Sequence, residues 1–242
     1  MKFFKFLITD WFLFIFKPNN KPIELSLKRR IAGFAFYLVF FFLIYYSLEN
    51  TAHTLLNKLW LIKIIPFPIT YRYEILASGF WILVIIGPIL EELMFRLSLR
   101  AKPYFLAISL TLIFFFCIDA FFDVKIFFNW KYTLENAALM ILIAAILTVV
   151  INFFRIPFEK FWNKYFVLIF YLSALLFGYM HLNNYFVIHY SVVLLSPVFI
   201  FPKIIVGLNF GFLRMRYGII FSILTHMSFN LVPYLIYLHY MK

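Results

Sequence analysis

The 242-residue chain is 65% hydrophobic and 24% aromatic but only 13% charged, against about a quarter charged in an ordinary soluble domain, so a soluble fold is excluded. Its formal charge of +12 is scattered between apolar stretches, which speaks against a nucleic-acid partner and for attraction to anionic lipid. A single cysteine, Cys117 in the apolar run 112–118, excludes an intramolecular disulfide and a cysteine metal site and reads as packing.

The first 16 residues set Phe3, Phe4, Leu7, Ile8, Trp11, Phe14 and Ile15 at near-helical spacing. Asp10 interrupts the run, no small-residue cleavage site precedes Lys17 and Pro18, and about 14 residues are short for a span. A helix lying in the membrane interface is expected, with a basic linker to residue 22. Apolar stretches of span length follow at 31–48, 75–95, 104–122, 136–154, 165–181, 185–201 and 219–240, with a shorter one at 204–213, which predicts seven or eight helices. Pro22, Pro66, Pro68, Pro103, Pro157 and Pro202 fall at or near their ends. Two-residue alternation is missing, so a β-barrel is not expected. The expected fold is an all-α polytopic transmembrane bundle forming one membrane domain over 1–242, with its helical core at 31–240.

Lys2, Lys5, Lys17, Lys21, Lys28, Arg29 and Arg30 precede the first long span against Asp10 and Glu24, which predicts a cytoplasmic N-terminus. On that alternation Arg100, Lys102, Arg155, Lys160 and Lys164 fall inside, and Lys58, Lys63, Arg72, Lys125 and Lys131 outside.

A charge near the bilayer centre costs about 2.5 to 3.5 kcal/mol on insertion scales, so such residues face protein or a water-filled cavity. Three groups stand out. The first lies in Gly87-Pro88-Ile89-Leu90-Glu91-Glu92-Leu93-Met94-Phe95-Arg96. Glu92 and Arg96 share a helical face and can pair, while Glu91 points about 100° away and is left free. Pro88 is expected to begin or kink a helix and so place Glu91 near exposed backbone N–H groups. The second is Phe177-Gly178-Tyr179-Met180-His181, followed by Asn183 and Asn184; the third is His226-Met227-Ser228-Phe229-Asn230, whose imidazole and amide share one face. Together they offer a carboxylate able to take a proton, a histidine able to hold water and two donors for an oxyanion, the parts amide hydrolysis requires. Each group alone has a structural reading as a buried pair or a packing histidine. Asp119 and Asp123 read as interfacial, with a place lining the cavity as the alternative for Asp119; His53, His189 and His239 have no suggestive partner at four residues; Arg214 and Arg216 greet a substrate carboxylate or mark the membrane edge.

Glu91-Glu92-x-x-x-Arg96, Phe177-x-x-x-His181 and His226-x-x-x-Asn230 resemble the three motifs of the CPBP family, the type II CAAX prenyl endopeptidases and their bacteriocin-processing or immunity relatives. Gly207-x-x-x-Gly211-x-x-Arg214-x-Arg216-Tyr217-Gly218 resembles the small-residue helix and basic turn before the family's third motif, so the likeness runs over 87–230. Leu97 stands where the family commonly has Gly, and Met180 where a small residue is common. The resemblance implies an intramembrane endopeptidase in which Glu91 and His181 activate a water, His226 and Asn230 stabilise the oxyanion, and Glu92 with Arg96 supports the site. It also implies a lipid-anchored or membrane-inserted peptide or protein substrate, membrane lipid as a partner, and residence in a plasma membrane of bacterial type. No cofactor is required on this reading. Zinc is the alternative, with Glu91, His181 and His226 as nitrogen and oxygen ligands, although no His-Glu-x-x-His helix is present. Two other functions stay open: a non-catalytic immunity or scaffold protein, and a proton pathway.

Overall fold

The computed structural model describes residues 2–58, 79–122, 130–181 and 190–240. Among them the chain is helical with no strand, an all-α bundle as expected. Helix α1 spans Lys2–Phe16 and α2 Leu27–Lys58; a π-helical turn at Trp81–Ile86 runs into α3, Gly87–Phe95, and a 3-10 turn at Leu97–Leu99 closes that segment. Then come α4 (Pro103–Phe122), α5 (Trp130–Phe153), α6 (Arg155–Lys164), α7 (Phe166–Met180), α8 (Tyr190–Arg216) and α9 (Ile219–Tyr240). Asp123, Asn183, Asn184 and His189 lie outside the described residues.

Three stretches, Leu27–Thr51, Leu134–Phe153 and Ile219–Ile236, are long and apolar enough to cross a membrane, and the pair α6 and α7, bent by 77°, makes a fourth if it is one broken span. The expected count of seven or eight is therefore not established among the described residues. In Leu134–Phe153 none of the best window is buried, so its apolar side chains face outward as lipid-facing ones do.

Two local expectations are corrected. The segments 185–201 and 204–213 were expected as separate spans, yet 190–216 is one continuous helix with Pro197 and Pro202 inside it. A proline removes one N–H and crowds one carbonyl, and packing of α8 against α7, α9 and α2 carries the helix through. Nor does Pro88 open a free helix N-terminus: Ile86 is already helical (φ −70°, ψ −47°) and the backbone runs through from the π turn.

The tightest packing lies between α7 and α8. A Cβ on Gly178 would stand 2.5 Å from Ile204 Cγ1 and 3.3 Å from the Ile204 nitrogen, and one on Gly207 3.1 Å from the Ala174 oxygen and 3.2 Å from Arg96 Nη2. The two backbones meet because neither glycine holds them apart. Gly218, at φ +108°, turns the chain between α8 and α9 and so sets the start of the helix that bears His226.

Helix α1 is tied to this core. It buries Leu7 and Phe14 while Phe4, Phe12, Leu13 and Phe16 stay exposed. Trp11 Nε1 donates to Asn209 Oδ1 at 3.0 Å, Tyr37 Oη to the Leu7 carbonyl at 2.7 Å, and Arg216 Nη2 to Asp10 Oδ1 at 3.0 Å. Arg216 also reaches Asn19 and the Lys21 carbonyl and lies over the Phe14 ring. Burial raises the Asp10 carboxyl above its ordinary pKa, and the adjoining guanidinium offsets only part of that. Deleting the cation should therefore hurt more than neutralising the acid. Limited proteolysis within 1–26 is expected to be faster in Arg216→Ala than in Asp10→Asn, and the reverse order would show that Arg216 does not hold the segment.

Candidate active site

Pro88 shapes the first wall of the site. The Gly87 N–H donates to the Ile82 carbonyl, five residues back, and the next residue is a proline with no N–H. The Leu83 carbonyl is thereby left without a helical donor, and Asn230 Nδ2 on α9 supplies one at 2.9 Å. One amide hydrogen of Asn230 is thus used structurally and the other remains available.

One turn on, α3 presents its two glutamates differently. Glu92 and Arg96 are fully buried, with Arg96 Nη1 3.5 Å from Glu92 Oε1. The guanidinium carbon sits 3.9 Å from the centroid of the Phe177 ring, and Nη2 donates to the Gly207 carbonyl at 3.4 Å. Glu92 also accepts from Ser222 Oγ at 2.5 Å and lies 3.1 Å from His226 Nδ1. A carboxylate paired to arginine is an acceptor only, so the His226 proton sits on Nδ1 and Nε2 faces away from Glu92.

It faces Glu91. His226 Nε2 is 3.6 Å from Glu91 Oε2, and His181 Nε2 is 3.9 Å from the same oxygen. His181 is oriented by a similar device: the end of α7 tightens so that its backbone N–H reaches the Gly178 and Tyr179 carbonyls, which leaves the Phe177 carbonyl to accept from Nδ1 at 2.8 Å. Both imidazoles thus turn Nε2 toward one carboxylate oxygen. Glu91 Oε2 is buried and has no hydrogen-bond partner among the described residues. Separations of 3.6 and 3.9 Å are too long for direct hydrogen bonds and suit a bridging water.

The three sequence groups therefore converge. Glu91, His181 and His226 meet within 4 Å, with Asn230 one turn along α9 from His226 and anchored at Leu83. The pairing of Glu92 with Arg96 stands as expected, and Glu91, outside that pair, faces both histidines. Ser222 was missed, although it lies four residues before His226 in an apolar helix, the same spacing that singled out Asn230. Arg214 is buried and donates to the Arg96 and Leu97 carbonyls at 3.1 and 3.3 Å, closing the end of α3. Asp119, read as interfacial or cavity-lining, is buried within the protein near the end of α4.

For zinc, ligands would have to surround one point at about 2.0 to 2.2 Å. Among the described residues no group of three His, Cys, Asp or Glu side chains is arranged to hold a metal ion. The residues as placed do not fit one, and no step below runs through a metal.

The type II CAAX prenyl endopeptidase family, Rce1-like, matches residues 74–232, about two thirds of the chain and every residue of the three motifs. The chain belongs to that family. No curated protein and no solved structure matches it. Membership settles the general class as an intramembrane endopeptidase in an integral membrane protein, whose family acts on membrane-associated prenylated proteins. The match excludes α1 and α2, so the clamp built on Asp10 and Arg216 joins a segment before the family region to the end of α8.

Proposed function

We propose that the chain hydrolyses a peptide bond of a membrane-associated substrate with a water held between Glu91 and His181. The observation that carries this reading is the convergence of two imidazole Nε2 atoms on the buried, unpartnered Oε2 of Glu91. His181, its proton fixed on Nδ1 by the Phe177 carbonyl, accepts one water hydrogen at Nε2 and orients the nucleophile. Glu91 takes the other proton as the water oxygen bonds to the scissile carbonyl carbon. The oxyanion receives the free Asn230 amide hydrogen and a hydrogen from His226 Nε2, which donates there only when both ring nitrogens carry a proton. As the tetrahedral species collapses, the C–N bond breaks and Glu91 returns its proton to the leaving amine. Glu92, held by Arg96 and Ser222, fixes the ring of His226.

Because the family is that of the type II CAAX prenyl endopeptidases, the first substrates to offer the purified protein are prenylated and unprenylated membrane peptides in detergent micelles. Folded protein should release a C-terminal fragment from at least one of them; a folded preparation that cuts none sinks the hydrolase reading in favour of a binding role. The basic residues before α2 support a cytoplasmic N-terminus in a bacterial plasma membrane. A reporter fused at Met1 should be active only on the cytoplasmic side, and outside activity reverses the topology.

A further inference from the structure

Beside the site lies an ion pair that none of the three motifs contains. Lys203 on α8 donates from Nζ to the Tyr45 hydroxyl of α2, and Nζ stands 3.6 Å from Glu49 Oε2. That is long against the roughly 2.7 to 2.9 Å of a tight charge-assisted bond, and Glu49 Oε2 has no hydrogen-bond partner among the described residues. An ammonium carries three donors, so Lys203 is underused where it sits. Neither side chain is sealed in: Lys203 is 20% and Glu49 33% exposed.

Its position relates it to catalysis. Gly178, three residues before His181, rests directly on Ile200 and Ile204 of α8, the turn that bears Lys203. On the other side the Tyr45 ring packs 5.6 Å from Phe229, the residue before Asn230, and Phe229 packs 5.5 Å from Phe210, which lies 4.7 Å from His226. Lys203 is thus linked to His226 through the rings of Tyr45, Phe229 and Phe210, and to the end of α7 through the contact of Gly178 with Ile204. Its partners Tyr45 and Glu49 come from α2, outside the family match.

We infer that Lys203 is a carboxylate-binding subsite for the free C-terminus of the peptide substrate, with Glu49 as the resting occupant that the substrate displaces. The inference rests on the hydrolase reading. An endopeptidase acting on a chain end faces a carboxylate a few residues past the scissile bond, and three extended residues span about 10 Å. Glu49, a third exposed, can swing out to make room, which a sealed pair such as Glu92 and Arg96 cannot. Lys203 would select ends over internal segments and set the distance from end to cut.

The test compares an S-farnesyl tetrapeptide bearing a free C-terminal carboxylate with its C-terminal amide, in the same micelles, by binding and by cleavage. The folded protein should favour the acid about 10- to 100-fold, the range of a hydrogen bond to a charged group. Lys203→Met should erase that preference by slowing only the acid, Lys203→Arg should keep it, and Glu49→Gln should widen it by removing the competitor. Equal handling of acid and amide by the unsubstituted protein, or a preference that survives Lys203→Met, overturns the inference. Should Lys203→Met not fold, an unchanged preference in Glu49→Gln overturns it equally. Preferential binding without cleavage removes the hydrolase reading and leaves the subsite; cleavage without preference does the opposite. If added phosphatidylglycerol abolishes the ion pair's effect while the peptide terminus has none, the occupant is a lipid phosphate and the peptide subsite is wrong.

Discussion

Glu91→Gln is expected to lower peptide cleavage per folded molecule by about 10²- to 10⁴-fold, the usual worth of general-base help, with little change in the thermal unfolding midpoint. Glutamine keeps the shape of the side chain but cannot take the water's proton. Stability should hold because Glu91 is not locked into the scaffold: among the described residues its Oε2 has no hydrogen-bond partner, and the two histidines it faces stand at 3.6 and 3.9 Å. Cleavage in detergent, measured beside unfolding of the same preparation, decides the matter. A variant that turns over normally removes Glu91 from catalysis, and one that fails to fold makes it a structural residue.

The neighbouring substitution should behave in the opposite way. Glu92→Gln strands the guanidinium of Arg96 at zero exposure, where Nε and Nη1 make no hydrogen bond among the described residues and Nη1 has only its ion pair with Glu92, and breaking a buried pair from one side costs about 3 to 5 kcal/mol. It also loosens the ring of His226 by weakening the acceptor at Nδ1 and the contact to Ser222 Oγ. Both unfolding midpoint and turnover are expected to fall. The double variant Glu92→Gln, Arg96→Met separates the two effects: removing the cation should recover most of the stability, because an apolar replacement of a buried pair is often neutral, while turnover stays low because His226 remains unoriented. Full recovery of turnover in the double variant would mean that Glu92 serves stability alone. Unchanged stability in Glu92→Gln would mean that Arg96 is compensated elsewhere.

Membrane residence and the all-helical class were determined by the sequence alone, and the polar side chains that meet between the helices were legible there too, because an ionisable group in an apolar helix is expensive and so marks itself. Spacing of four residues was equally legible where the interaction is local, as in Glu92 with Arg96. Only the tertiary structure decided what meets across helices. Which oxygen the two imidazoles share follows from how closely α7 approaches α8 and α9, and that depends on Gly178 and Gly207 lying against neighbouring backbone. The anchoring of Asn230 depends on a carbonyl orphaned by Pro88 in another helix, a need that no pattern within 226–230 contains. The surroundings of Lys203 are set by Tyr45 and Glu49, 158 and 154 positions away, and by the continuity of α8 through two prolines. Local periodicity reports which face a residue occupies; the contacts that give that face its chemistry are set by packing between segments distant in the chain.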